Sequence, residues 1–231
     1  MDVATLLHHL LAELTDRADP ERAVGAKAYL KSDLRFLGVA VPDLREATLR
    51  HCQTAGKLDA RQLREFAELC WQSDLHEARG AACVVLEKWP SRLGPDDLGW
   101  LEALLRRSFT WAYVDVLAVH TVGSIVARHP AAAKAVLARW AEDPDFWVRR
   151  TALLALLGET RHKKPFDTAS FELWAVPLLG DREFFIRKAI GWVLRDVSKR
   201  DPAWVQGFLQ RHRAAMAGLT LREASKYLPT G

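Results

Sequence analysis

Residues 183–195 read Glu183-Phe184-Phe185-Ile186-Arg187-Lys188-Ala189-Ile190-Gly191-Trp192-Val193-Leu194-Arg195. Apolar residues recur at spacings of three and four, which is the period of a helix with one buried face. Lys188, Trp192, Arg195 and Lys199 fall at i, i+4, i+7 and i+11 and make one stripe of three cations around an indole. Similar hexapeptides occur upstream, at Glu77-Ala78-Arg79-Gly80-Ala81-Ala82 and Trp147-Val148-Arg149-Arg150-Thr151-Ala152. Their alignment with Phe185–Ile190 is read as one row of equivalent positions, Arg79, Arg150 and Lys188, with Asp115 as the intervening member. The steps are then 36, 35 and 38 residues. A helix pair repeated at this interval predicts an all-α solenoid of stacked antiparallel pairs, HEAT-like, with a concave cationic groove.

The rest of the chain carries the same period. Helices are expected near 3–17, 20–31, 42–55, 59–73, 75–88, 95–107, 111–128, 130–142, 144–158, 168–179, 183–200, 202–215 and 219–228. Pro42, Pro95, Pro130, Pro144 and Pro202 mark helix starts, where the missing N–H is not needed. Connections are short, the longest being Gly158 to Asp167. No Ser/Gly-rich linker interrupts the 231 residues, so one domain over 1–231 is expected.

Composition excludes several classes. With 49% hydrophobic and 27% charged residues, the chain has what a packed core requires. No apolar run approaches the roughly 20 residues that span a bilayer, and Met1-Asp2-Val3 lacks the basic start of a secretory signal. Three widely spaced cysteines, Cys52, Cys70 and Cys83, suit neither a disulfide framework nor a zinc knuckle. They imply a reducing, cytoplasmic setting. His8, His9 and His120 lack metal-ligand spacing, so no metal and no cofactor is expected. A monomer is expected.

Charge is split. Residues 1–115 carry a net −3 and residues 116–231 a net +7, within a total of +4. The surplus falls on Arg149-Arg150, on Arg161 to Lys164 and on the Lys188/Arg195/Lys199 stripe. A cationic stripe broken by Trp192 suits phosphate contact with stacking or cation–π contact to a nucleobase. A solvated basic face around a packing Trp would read similarly. Asp115 lies in a segment, 111–128, that is apolar almost all round, and Trp111 shares its helix face at i−4. An ionised carboxylate there needs a partner or a solvated opening.

The stretch 183–195 also resembles the most distinctive motif of the AlkD-like DNA alkylation repair glycosylases. Further matches, in the same order, are Ala28-Tyr29-Leu30-Lys31 with Phe36-Leu37-Gly38-Val39, Trp111-x-x-x-Asp115, Phe146-Trp147-Val148-Arg149-Arg150-x-Ala152 and Leu221-Arg222-Glu223-Ala224-x-Lys226. The resemblance spans nearly the whole chain. It implies a HEAT-like monofunctional glycosylase that removes cationic N3- and N7-alkylated purines from double-stranded DNA without flipping the base. It implies Asp115 as the catalytic carboxylate, Trp111 and Trp192 as the aromatics that hold the lesion nucleotide, Arg150 as a contact to the DNA backbone and Tyr29 as a lining aromatic. Arg149, Lys188, Arg195 and Lys199 complete the expected DNA-binding set. Thr110, where the family is expected to carry another Trp, together with Ala112 and Tyr113, departs from the family pattern, which bears on substrate range. Two other readings compete: a non-catalytic solenoid that binds damaged or branched DNA, and a protein-binding scaffold.

Overall fold

The computed structural model describes residues 2–56 and 58–228. Helices follow in the order α1 (Val3–Asp16), α2 (Pro20–Leu30), α3 (Val41–Ala55), α4 (Ala60–Gln72), α5 (His76–Lys88), α6 (Leu98–Arg106), α7 (Trp111–Val116), α8 (Gly123–Arg128), α9 (Pro130–Ala141) and α10 (Phe146–Ala155). Then come α11 (Leu157–Arg161), α12 (Thr168–Ala175), α13 (Phe184–Val197), α14 (Pro202–His212) and α15 (Gly218–Ala224). No strand occurs among the described residues, only one isolated bridge between Arg35 and Leu75. The fold is all-α, as the periodicity predicts. Acidic residues start many of the helices by accepting a free N–H of the first turn: Asp2, Asp19, Asp59, Asp145, Asp167, Glu183 and Asp201.

The packing divides the chain into two compact units. The first joins the chain up to Leu93 with Ala103–Leu117, and the second joins Gly94–Glu102 with the chain from Ala118 onward. In the first unit α3 packs on α5 and α5 on α7, with α1 and α4 behind them. Leu6, Leu10, Leu14, Leu63 and Phe66 are fully buried there. In the second unit α10 packs on α13 and α13 on α15, around a core that includes Trp140, Phe171 and Phe208. Each such side chain contributes about 1.5–3 kcal/mol by leaving water.

The N-caps set the phase of the repeat. They are Ala40, Leu75, Thr110, Asp145, Glu183 and Ala217, at steps of 35, 35, 35, 38 and 34 residues. Five positions beyond each cap stand Arg45, Gly80, Asp115, Arg150, Lys188 and Arg222. The row that contains Asp115 therefore includes Gly80, and the assignment of Arg79 to it is corrected. Arg79 belongs to a different set, with Arg149 and Arg187. Each of these three donates to the backbone carbonyl six residues before it: Arg79 to Ser73 at 3.4 Å, Arg149 to Asp143 at 2.7 Å and Arg187 to Asp181 at 2.7 Å. They tie each helix to the turn that precedes it.

Two other expectations change. The helix expected over 111–128 contains a π turn, Leu117–Val122, between α7 and α8. The segment is apolar all round, so periodicity could not reveal the extra residue. The connection expected to begin at Gly158 is helical through Arg161. A Cβ at Gly158 would lie 2.1 Å from the Gly123 carbonyl oxygen, so the pair of glycines lets α11 lie against α8.

Candidate functional site

In the first unit, α7 begins at the Thr110 cap, whose Oγ1 accepts from the Ala112 N–H at 3.4 Å. Trp111 occupies the first helical position and Asp115 lies one turn later, both half-buried. Tyr29, 72% exposed at the end of α2, meets Trp111 edge to face, with ring centroids 5.9 Å apart and planes at 88°. That contact joins two of the expected site residues. The edge of one ring is electropositive and the face of the other electronegative, which favours this arrangement.

A buried carboxylate holds the segment that follows α2, the helix carrying Tyr29. Glu77 accepts from the backbone N–H groups of Leu37, Gly38 and Val39 at 3.0, 2.8 and 3.3 Å. The Leu37 carbonyl in turn accepts from the Asp19 N–H at 2.8 Å, and Asp19 caps α2. Gly38 has φ +81, and a Cβ there would lie 2.1 Å from the Asp19 oxygen. Glycine at position 38 is thus required by conformation and by space.

Behind α7, the Tyr113 hydroxyl lies 2.5 Å from His76 Nδ1, and Phe36 stacks on His76 at 4.3 Å. Burial, aided by Arg79 and opposed by Glu77, lowers the His76 pKa. Burial raises that of Tyr113. A cavity of about 160 Å³ opens here, lined by His76, Gly80, Cys83, Ala112, Tyr113 and Val116 among others.

The second unit carries the remaining expected residues. Trp192 is half-buried on α13. Arg150 is 2% exposed, and its guanidinium lies 6.0 Å from the Trp192 ring and 5.8 Å from the Phe185 ring. Its Nη1 donates to the Phe185 carbonyl at 2.5 Å. Arg149 donates to the Asp143 and Pro144 carbonyls and pairs with Asp181 at 3.2 Å. The adjacent arginines that read as one basic cluster are therefore engaged within the fold. Lys188 pairs with Glu223 Oε1 at 3.1 Å, and Arg195 pairs with Glu223 Oε2. Burial would raise the Glu223 pKa, but Lys188, Arg195 and Lys226 outweigh it and hold the carboxyl below its usual value. Lys199 pairs with Asp196 at 3.3 Å and lies 5.0 Å over the Tyr227 ring.

Glu223 is the residue the sequence reading missed. It stands in the C-terminal motif, yet nothing in its spacing indicates that it divides the cationic stripe. α15 reaches α13 closely because of Gly191, where a Cβ would meet the Glu223 Cβ at 2.6 Å. Among the described residues, no group of three or more His, Cys, Asp or Glu side chains could hold a metal ion. No described helix is long and apolar enough to cross a membrane.

Residues 10–228 match a family model described as DNA alkylation repair enzyme. Among solved structures, the chain is similar to a predicted DNA alkylation repair enzyme from Enterococcus faecalis. The two share 26% identity and a TM-score of 0.82 over 93% of this chain and 98% of that one. It is also similar to AlkD2 from Streptococcus mutans, with 19% identity and a TM-score of 0.62 over 83% of this chain and 91% of that one. The structure of smu.31 from Streptococcus mutans UA159 gives 19% and 0.61 over 82% and 93%. At that identity the last two bear on the fold alone. No curated protein matches the chain.

Proposed function

This chain belongs to the DNA alkylation repair enzyme family, and from that premise we propose that it is a monofunctional DNA glycosylase. Its substrates are purines made cationic by alkylation at N3 or N7, in duplex DNA, and it removes them without rotating the base into a pocket. The observation that carries this reading is the position of Asp115. It stands where four of the five corresponding helices carry Arg45, Arg150, Lys188 and Arg222 and the fifth carries Gly80, one turn from an indole that meets Tyr29.

The chemistry follows from the substrate. An alkylated purine cation departs as a neutral base, so the leaving group needs no proton. The C1′–N bond breaks with its electron pair going to the base, and positive charge develops on the deoxyribose. Asp115 opposes that charge electrostatically and orients the water that adds to C1′, which releases a proton to solvent as the C1′–OH bond forms. Trp111 and Trp192 offer electron-rich faces to the cationic nucleotide.

The cations divide into two groups. Lys188, Arg195 and Lys199 are accessible enough to meet phosphates and set the duplex in register. Arg150 is buried; it holds Trp192 and Phe185 from within rather than reaching a phosphate. Arg149 acts through the turn it braces.

Incubation with duplex DNA bearing 7-methylguanine tests the proposal. Free 7-methylguanine should appear while the strand stays intact until the abasic site is cleaved chemically. Tight, salt-sensitive binding without base release from any cationic lesion would favour the non-catalytic solenoid instead.

A further inference from the structure

Phe109 is 75% exposed and adopts φ +54, immediately before the cap of the helix that carries Trp111 and Asp115. A bulky residue in the left-handed region is a rare and strained arrangement. Burial does not explain it, because the ring faces water. The corresponding positions of the other five helices carry Val39, Asp74, Pro144, Arg182 and Met216, none with positive φ.

The turn also departs from its counterparts. Ser73, Asp143 and Asp181 each accept, through the side chain, the N–H two residues on, at 3.1, 2.9 and 2.8 Å. Ser108, their counterpart, turns back and donates to the Leu104 carbonyl at 2.9 Å. The surrounding chain is held firmly. Arg79 donates to the Arg107 carbonyl at 2.9 Å, and Arg107 reaches both Glu68 oxygens at 3.0 and 3.1 Å. The braced turn thus exposes a strained aromatic ring beside the helix that carries Trp111 and Asp115.

We infer that Phe109 is a DNA contact, an aromatic side chain set against the base stack next to the lesion nucleotide. The inference rests on the glycosylase reading for its partner, duplex DNA. Apolar side chains that wedge against base steps, and aromatic rings that stack on bases, are established means of holding a duplex. Phe109 would load the step beside the alkylated base while Trp111 and Trp192 hold its nucleotide.

Phe109→Gly separates this role from a structural one. Glycine relieves the left-handed backbone and removes little packing, so the thermal midpoint should stay or rise. Affinity for duplex carrying 7-methylguanine should fall about tenfold, in the range of losing one stacked base. Phe109→Tyr should restore it. A 2-aminopurine placed next to the lesion should change fluorescence on binding wild type and not on binding Phe109→Gly. Unchanged affinity and an unchanged 2-aminopurine response in Phe109→Gly would overturn the inference, as would a lowered thermal midpoint that accounts for the weaker binding. Binding and base release are read separately. If wild type releases no base yet Phe109→Gly weakens binding, the contact stands and the glycosylase reading fails.

Discussion

The Glu77 carboxylate accepts the Gly38 N–H at 2.8 Å, across 39 positions of sequence, and with Leu37 and Val39 it satisfies three backbone donors at once. Removing it leaves buried N–H groups without an acceptor, each expensive. Glu77→Ala should therefore destabilise the protein by roughly 4 kcal/mol, and Glu77→Gln by roughly half that, because one acceptor oxygen remains. Urea midpoints at constant slope give both values.

Gly158 admits no side chain. Its Cβ would lie 2.1 Å from the Gly123 carbonyl oxygen, which is backbone on a packed helix and cannot swing aside. Gly158→Ala should cost about 3 kcal/mol or more and lower the thermal midpoint by several degrees. Gly25→Ala, where a Cβ meets nothing, should leave the midpoint unchanged or raise it.

The Glu223 pKa is held below its usual value against the pull of burial. Its contribution is thus present above pH 4.5, the unfolded value, and is lost as pH falls through the lower folded value. The pairs are partly exposed, so Glu223→Gln should cost under about 1 kcal/mol near neutrality. Its effect on DNA binding should be opposite in sign. Freed of the carboxylate, Lys188 and Arg195 should raise non-specific duplex affinity a few-fold and steepen the salt dependence by about one ion. A salt titration of binding to unmodified duplex reads this directly.

Much of the fold is legible in the sequence because proline and aspartate punctuate it. Pro20, Pro130 and Pro202 open helices, and an acidic residue caps each first turn in the second unit from Asp145 to Asp201 apart from α11. The phase of the repeat is harder to read. Arg79, Arg149 and Arg187 form a regular arginine series one residue before the row of Asp115, and two caps in the first unit, Ala40 and Leu75, use no side chain. The stripe Lys188, Trp192, Arg195 is legible as spacing, but its partner Glu223 lies on another helix, 28 residues beyond Arg195. The inward turn of Arg150 escapes a charge count, which records sign and not burial.

His76 gives the molecule a pH dependence near neutrality. Its folded pKa lies below the ordinary 6.5, first through burial and then through Arg79, with Glu77 opposing. The unfolded chain therefore takes up a proton before the folded one does. Stability should be complete above pH 6.5 and should decline as pH falls from there toward the folded value. Replacing His76 with Gln should flatten that part of the profile, whatever it costs at pH 8, and thermal midpoints between pH 5 and 8 would record it. An unchanged slope would assign the dependence to another group.

The role of Asp115 is tested most directly by single-turnover release of 7-methylguanine from duplex DNA, comparing wild type with Asp115→Asn at saturating protein. Asparagine keeps the shape and removes the charge that opposes the developing sugar cation. The release rate should fall on the order of a hundredfold or more, while duplex affinity stays or increases because a repulsive charge is gone. Release by Asp115→Asn at the wild-type rate would contradict the account at its centre.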